Sequence, residues 1–175
     1  MLRWLSIGVL LAGCAGPTVD EYLASHPDDS GDVVRVWSAR LPGALWPIAE
    51  HLILEVRTAD MPPGLGESWE VWHQPECHDE AGSYVCRDLG TLRSGVGGGA
   101  PTLVAETRGE DARRAAAWIR EHAPVWRHRD VYVAWPGPNS NTFVAGLLRE
   151  CPGLAVDLPP TAIGKDWLGI LHAGG

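Results

Sequence analysis

The chain has 175 residues, 45% of them hydrophobic, which suffices for one domain with a buried core and hardly for two. It carries 14 Lys and Arg against 22 Asp and Glu, so its formal net charge is −8. A protein that binds nucleic acid needs a basic surface to neutralise phosphates, and this balance therefore argues against nucleic acid as a partner.

The first fourteen residues have the pattern of a cleaved signal rather than of a membrane-spanning helix. Arg3 precedes an apolar run from Trp4 to Leu11, which is too short to span a bilayer. The run leads into Leu11-Ala12-Gly13-Cys14, which resembles the bacterial lipobox, in which the cysteine is acylated and the signal is cut before it. The alternative is an ordinary secretory signal with an accidental cysteine.

The lipobox resemblance implies a signal peptide of residues 1–13 and a lipid bilayer as the partner of acylated Cys14. Several acyl chains on one residue suffice for stable anchoring, since each buried methylene contributes roughly 0.8 kcal/mol. Ala15 follows the cysteine, where an aspartate would resemble an inner-membrane retention signal. We therefore expect a lipoprotein of the bacterial cell envelope, anchored in the outer membrane and facing the periplasm.

Residues 14–32 are predicted to form a flexible acidic tether. From Ala15 to Asp32 there are five acidic residues, two prolines and no Lys or Arg, so this stretch repels itself and is rich in turn formers. A short helix over Asp20–Ser25, capped by Thr18, would be marginal in isolation. Residues 33–175 then form a single folded domain.

The first half of this domain has the pattern of β-strands. Val33–Arg40 is rich in β-branched and aromatic residues. In Ile48–Arg57, residues Leu52, Leu54 and Val56 share one face, and His51, Ile53 and Glu55 share the other. The remaining predicted elements of this half are strands over Ser68–Gln74 and Tyr84–Leu89 and a Gly-rich loop over Gly95–Pro101.

The second half predicts two helices. Glu110–His122 has apolar residues at helical spacing and ends before Pro124. A short strand over Val131–Trp135 is followed by a helix that opens at Asn139 or Ser140 and ends before a Pro-Gly pair. Strands first and helices later indicate an α+β fold, with a mostly antiparallel sheet packed against two main helices.

Cys77 and Cys86 bracket a short loop with a turn at its centre. In an oxidising envelope compartment a disulfide would close this loop and contribute on the order of 2–3 kcal/mol. Unpaired thiols are one alternative, and a zinc site that includes His73 is another, although the paired Cys-x-x-Cys spacing of zinc sites is absent from the sequence. We expect no metal, and Cys151 is predicted to be a small buried hydrophobic residue.

The stretch from Ala134 to Phe143 places a serine at the first turn of an amphipathic helix. A strand ends, a turn with two prolines redirects the chain, and the unpaired backbone N–H groups of the helix start point towards the Ser140 hydroxyl. Such a helix N-terminus favours negative charge that develops on a nucleophile or an oxyanion. The alternative is that Asn139 or Ser140 is simply the N-cap of the helix.

The run from Pro136 to Phe143, PGPNSNTF, occurs together with Ala39–Pro42, His51 and the segment Leu158–Asp166. This combination resembles a bacterial lipoprotein family that is catalogued only as a domain of unknown function, number 3750 in that series. The similarity covers roughly residues 35–167, which is nearly all of the folded part. The family implies no activity.

Asn139-Ser140-Asn141-Thr142-Phe143 also resembles the Asn-Cys-x-x-Phe motif of circularly permuted papain-like proteins, such as the lecithin:retinol acyltransferase-like group. In that group a strand histidine comes first in the chain, and the nucleophile opens a helix much later. The resemblance implies Ser140 as the nucleophile in place of cysteine, His51 as the base, and Glu70 or His73 as the third polar residue.

The binding residues implied around this site are Asn139 and Asn141, with Lys165 and Asp166 from a Gly-flanked loop. The latter two either line the cleft or pair on the surface. Four tryptophans, Trp69, Trp72, Trp126 and Trp135, are predicted to pack in the core rather than to stack on a sugar.

Two functions are consistent with these features. The first is a hydrolase or an acyl or amide transferase without a cofactor, which acts on an amide or ester of envelope peptidoglycan or lipid. The second is a non-catalytic lipoprotein that binds a cell-wall or lipid component in the same cleft.

Overall fold

The computed structural model describes residues 16–27, 30–45, 48–62, 64–73, 82–92, 94–96 and 99–167. The elements in chain order are α1 (Val19–Ser25), β1 (Val33–Arg40), a short 3₁₀ turn (Gly43–Leu45), β2 (Glu50–Arg57), β3 (Gly66–Val71), β4 (Val85–Gly90), β5 (Thr102–Arg108), α2 (Glu110–His122) and α3 (Ser140–Glu150). Across these ranges, no helix combines the length and the apolar character needed to cross a bilayer.

The five strands form one sheet in the order β4-β3-β2-β1-β5, and every neighbouring pair is antiparallel. One face carries the main core, because Leu52, Leu54 and Val56 alternate out of β2 on this side. Helices α2 and α3 cover this face and bury residues such as Ile119 and Phe143. The predicted α+β fold, with an antiparallel sheet and two main helices, is therefore confirmed.

The opposite face of the sheet holds a buried charged cluster beneath α1. Arg35 donates to Glu55 at 3.1 Å and to Glu106 at 2.8 Å, and the Tyr22 hydroxyl donates to Glu106 at 2.5 Å. Thr18 and Glu21 form a reciprocal capping box at the start of α1. Within the segment predicted as a flexible tether, residues 19–25 are therefore a capped helix whose Tyr22 packs on the sheet.

Two parts of the sheet differ from the prediction. Strand β5 was not predicted, and it pairs with β1 along Thr102–Arg108 with one register shift. The strand predicted over Val131–Trp135 is wrong, because that segment is irregular. The Val133 N–H donates to the Pro138 carbonyl at 2.8 Å, which closes the proline turn locally instead of pairing with a strand.

Candidate active site

The candidate site lies where strands β2 and β3 separate. Their pairing runs from Val56↔Glu67 to Leu54↔Trp69. Beyond it, the backbone N–H and C=O of Leu52 bind side chains from the first turn of α3: the N–H donates to Asn141 Oδ1 at 2.9 Å, and the carbonyl accepts from Ser140 Oγ at 2.5 Å. β3 itself continues to Val71 on β4, so the helix start takes the place beside β2 that β3 leaves.

Asn141 fastens α3 to two neighbouring segments at once. Besides accepting from the Leu52 N–H, its amide Nδ2 donates to the Glu50 carbonyl at 2.8 Å and to the Ile163 carbonyl at 2.9 Å. The residue is only 5% exposed, so each of these bonds satisfies a buried polar group. Asn141 thus sets the position of the serine beside it.

The start of α3 is capped by its own side chains. Asn139 Oδ1 accepts from the Thr142 N–H at 3.0 Å, and Thr142 Oγ1 accepts from the Asn139 N–H at 3.3 Å. Gly164 packs against this cap at φ +94°, where a Cβ atom would lie 2.6 Å from Asn139 Nδ2, so glycine alone fits. The predicted helix start is confirmed, and of the two residues considered for its N-cap, Asn139 takes that position and Ser140 is the first helical residue.

Ser140 and His51 meet at this helix start although 89 positions separate them in the chain. Ser140 Oγ lies 3.3 Å from His51 Nε2, and both residues are buried, at 3% and 4% exposure. The first-turn amides that the cap does not use are those of Ser140 and Asn141, and they begin a helix whose positive end favours an oxyanion. The site therefore combines a hydroxyl, an imidazole and a helix N-terminus.

Glu70 is the third polar residue, and it binds the same ring nitrogen as the serine. Its Oε2 lies 2.5 Å from His51 Nε2. An ionised carboxylate can only accept a hydrogen bond, so in this contact Nε2 is the donor to Glu70 and offers Ser140 no lone pair. In a Ser-His-Asp triad the carboxylate binds the other ring nitrogen. Glu70 therefore occupies the expected strand but not the expected side of the ring.

The serine and the histidine open into a small cavity of about 220 Å³. Its wall is formed mainly by apolar and aromatic residues, which include Leu41, Ala49, Trp72, Tyr132, Trp135 and Ile163. The Trp72 ring packs edge-on against His51 at 5.4 Å between centroids, which holds the imidazole from the side. Burial also raises the pKa of Tyr132, whose phenol thus stays neutral.

The remaining predicted site residues do not contact the His51 ring or offer a free side chain to the serine cavity. His73 stacks on Tyr132 and packs against Tyr84, so Glu70, and not His73, reaches the His51 ring. Lys165 and Asp166 pair at 2.7 Å and line a separate, wider groove of about 590 Å³. Asn139 and Asn141 do line the serine cavity, but their side chains bind the protein itself.

The cysteine predictions fall largely outside the described residues. Cys14 and Cys77 both lie there, so the lipid anchor and the disulfide to Cys86 stay predictions. Cys86 is buried on β4. Cys151 is a free, buried cysteine at the end of α3, as predicted, and burial raises the pKa of its thiol.

Sequence reasoning missed two features of the site. The Leu52 carbonyl accepts a hydrogen bond from Ser140. Nothing in the sequence indicates this contact, because every residue has the same backbone oxygen. Trp135 was predicted to lie in the core, yet it is 70% exposed at the cavity wall, whereas Trp69 and Trp126 are buried as predicted. Its position directly before the proline turn was the available signal.

Comparison with known proteins places the whole site within one matched segment. A family model described as "Protein of unknown function (DUF3750)" matches residues 31–167, which include both strands and the helix that build the site. No curated protein and no solved structure matches the chain.

Proposed function

We propose that this chain, which belongs to the DUF3750 family of proteins of unknown function, is a hydrolase or an acyl or amide transferase with Ser140 as its nucleophile. The observation that carries the proposal is the 3.3 Å approach of Ser140 Oγ to His51 Nε2 at the start of α3. A buried hydroxyl, a histidine and a helix N-terminus in one cavity are the parts that acyl transfer requires.

The reaction begins when the Nε2 proton passes to Glu70, which moves away as a neutral carboxylic acid and leaves His51 a neutral imidazole with its remaining proton on Nδ1. His51 then takes the hydroxyl proton while Ser140 Oγ forms a bond to the substrate carbonyl carbon. The amides of Ser140 and Asn141 bind the oxyanion. The bond to the leaving amine or alcohol breaks as that group takes the proton from His51. Water, or an acceptor hydroxyl or amine, then attacks the acyl carbon and gives its proton to His51. The bond to Ser140 Oγ breaks as Oγ takes that proton from His51, which restores the serine and the neutral imidazole.

The order of the parts along the chain supports a circularly permuted papain-like arrangement. The strand histidine precedes the carboxylate on the next strand, and the nucleophile opens a helix much later. Serine replaces the cysteine of that arrangement. A thiol is readily a thiolate there, whereas a serine needs its base at the moment of attack, so the dependence on His51 is strict.

The proposed setting is the periplasmic side of the bacterial outer membrane, where acylated Cys14 anchors the domain in the bilayer. The substrate is then an amide or ester of peptidoglycan or lipid, and no cofactor is required. Cys14→Ser tests the anchor, because only a thiol can carry the thioether-linked lipid. We expect an uncleaved or soluble precursor, and a processed Cys14→Ser protein that still sediments with membranes would contradict the anchor.

A second function, non-catalytic binding in the same cavity, is favoured by a specific observation. The Ser140 hydroxyl already donates to the Leu52 carbonyl at 2.5 Å, and Glu70 holds the nitrogen that a base would use. In that case Ser140 fastens α3 to β2, and the cavity binds a cell-wall or lipid component without reacting with it.

A fluorophosphonate probe separates the two functions. It labels an activated serine covalently, so we expect labelling of the natural chain and none of Ser140→Ala or His51→Ala. Ser83→Ala is the matched control, because Ser83 is also a buried serine, 7% exposed, whose hydroxyl oxygen accepts from the Val85 N–H at 3.1 Å and which does not line this cavity. A natural chain that resists the probe, or a Ser140→Ala chain that still reacts, favours the binding function.

A further inference from the structure

The cavity beside Ser140 is small and its free surface is apolar. Its volume of about 220 Å³ is below the roughly 300–1,000 Å³ of sites that enclose drug-sized ligands. The rings of Trp72, Tyr132 and Trp135 and the side chain of Ile163 form much of its wall. The cavity therefore suits a short chain or a single ring rather than a whole lipid or a glycan strand.

The charged group in the lining, Glu50, is already committed to the protein. Its Oε2 accepts from Ser38 at 2.8 Å and from Thr161 at 2.8 Å, and its Oε1 lies 3.9 Å from Arg40. The described lining includes no lysine or arginine. Away from the helix start, a charged ligand group would therefore be desolvated with no free partner, which is costly.

The amide side chains in the lining are committed as well. Asn139 donates to the carbonyls of Ala134 and Ile163, and Asn141 donates to those of Glu50 and Ile163. The polar groups of the described lining that remain to contact a ligand are Ser140, His51, the first amides of α3 and the uncharged hydroxyl of Tyr132. A ligand therefore meets a polar centre at Ser140 and, apart from the Tyr132 hydroxyl, mainly apolar walls around the rest of the cavity.

We infer that the cavity binds the short, uncharged aliphatic or aromatic acyl group of an ester or amide, with the carbonyl at Ser140. This inference rests on the proposed function for the position of the carbonyl. It excludes substrates whose acyl chain carries a carboxylate or an ammonium group, because the described walls away from the helix start offer neither group a free partner.

Calorimetric titration of the full chain with three amides of equal chain length tests the inference: hexanamide, adipic acid monoamide, which carries a carboxylate at the far end, and 6-aminohexanamide, which carries an ammonium group there. We expect saturable binding of hexanamide, about tenfold tighter than that of either charged probe, because the charged ends lose hydration against the apolar walls without compensation. Equal or tighter binding of a charged probe, or no binding of hexanamide, would overturn the inference.

Two exposed positions provide the variants. Trp135→Ala removes part of the wall and should weaken hexanamide binding several-fold, whereas Leu89→Ala, also exposed but on β4, should leave it unchanged. Equal effects of the two variants would contradict the assignment of the cavity.

The fluorophosphonate experiment keeps the two claims separate. If the chain binds hexanamide but its Ser140 does not react with the probe, the proposed nucleophilic role of Ser140 is contradicted and the proposed class of ligand is supported. A reactive Ser140 in a chain that binds either charged amide as tightly as hexanamide would end the proposed ligand class and leave the chemistry standing.

Discussion

The Ser140 hydroxyl donates a hydrogen bond to the carbonyl oxygen of Leu52 at 2.5 Å, and the same Oγ atom lies 3.3 Å from His51 Nε2. The serine therefore links helix α3 to the backbone of β2 and also faces the proposed base. The structural bond and the proposed reaction compete for one proton. Substrate binding has to turn the hydroxyl from the strand to the imidazole.

Glu70 is predicted to restrain the site rather than to orient the base. Because Glu70 and Ser140 contact the same ring nitrogen, Glu70→Ala removes the acceptor that keeps a proton on Nε2. We expect fluorophosphonate to label Glu70→Ala faster than the natural chain at neutral pH. The control is Glu150→Ala, which removes an exposed carboxylate. Glu55→Ala is unsuitable as a control, because Glu55 belongs to the buried charged cluster on the opposite face of the sheet. Slower labelling of Glu70→Ala would assign it the orienting role of a triad carboxylate.

Asn141 is predicted to hold the site together. Asn141→Ala leaves the buried Leu52 N–H without its side-chain acceptor, and one such group costs roughly 1–3 kcal/mol. We expect the free energy of unfolding, measured by urea denaturation, to fall by at least that amount. Glu150→Ala, at the exposed end of the same helix, should change it little. An unchanged stability of Asn141→Ala would show that water or another group replaces these bonds.

The stability of the domain is predicted to fall in acid through Glu67. Burial raises the pKa of this carboxyl, but Arg120 and Arg87, at 2.9 and 2.8 Å, outweigh burial and hold the pKa below its ordinary value of 4.5. Because the pKa is lowered in the folded state, the ion pairs of Glu67 stabilise the fold above about pH 4.5, the ordinary pKa. This contribution is lost as the pH falls through the lower pKa of the folded state.

Denaturation between pH 6 and pH 2, on the order of the range over which carboxyls titrate, measures this effect. Glu67→Gln should be less stable than the natural chain at neutral pH and should lose less stability in acid. Glu121→Gln, an exposed position on α2, should follow the natural chain. Parallel curves for Glu67→Gln and the natural chain would contradict the role of this carboxylate.

The disulfide between Cys77 and Cys86 is predicted to form in protein that matures in an oxidising periplasm. Non-reducing peptide mapping should recover the two cysteines in one linked species and Cys151 as a free thiol. Because burial raises the pKa of Cys151, its alkylation should be slow until the chain unfolds. Recovery of both Cys77 and Cys86 as free thiols would contradict the bond.

The sequence correctly predicted the elements whose apolar residues recur with the period of their own secondary structure. The ranges of β1 and α2 match the prediction, and the alternation in β2 correctly separates the core residue Leu52 from His51. Strand β5 was missed because it follows a Gly-rich loop and is only half-buried along its length. The residues 131–135 have strand-like composition, but the proline turn uses the Val133 N–H locally.

The site was predictable as a set of residues but not as an arrangement. The motif around Ser140 and its order relative to His51 indicated which side chains meet. The shared use of Nε2 depends on where β2 and β3 separate, and this is a property of strand register that residue spacing does not encode. The commitment of Asn141 to the backbone has the same origin.

The most direct test of the central claim is to trap the acyl group. The natural chain is incubated with the p-nitrophenyl ester of a short fatty acid, quenched in acid and mapped by peptide mass spectrometry. We expect an acyl group on Ser140 that is absent from His51→Ala and present in Ser83→Ala. An unmodified Ser140, or acylation that persists without His51, would contradict a nucleophilic serine activated by that histidine.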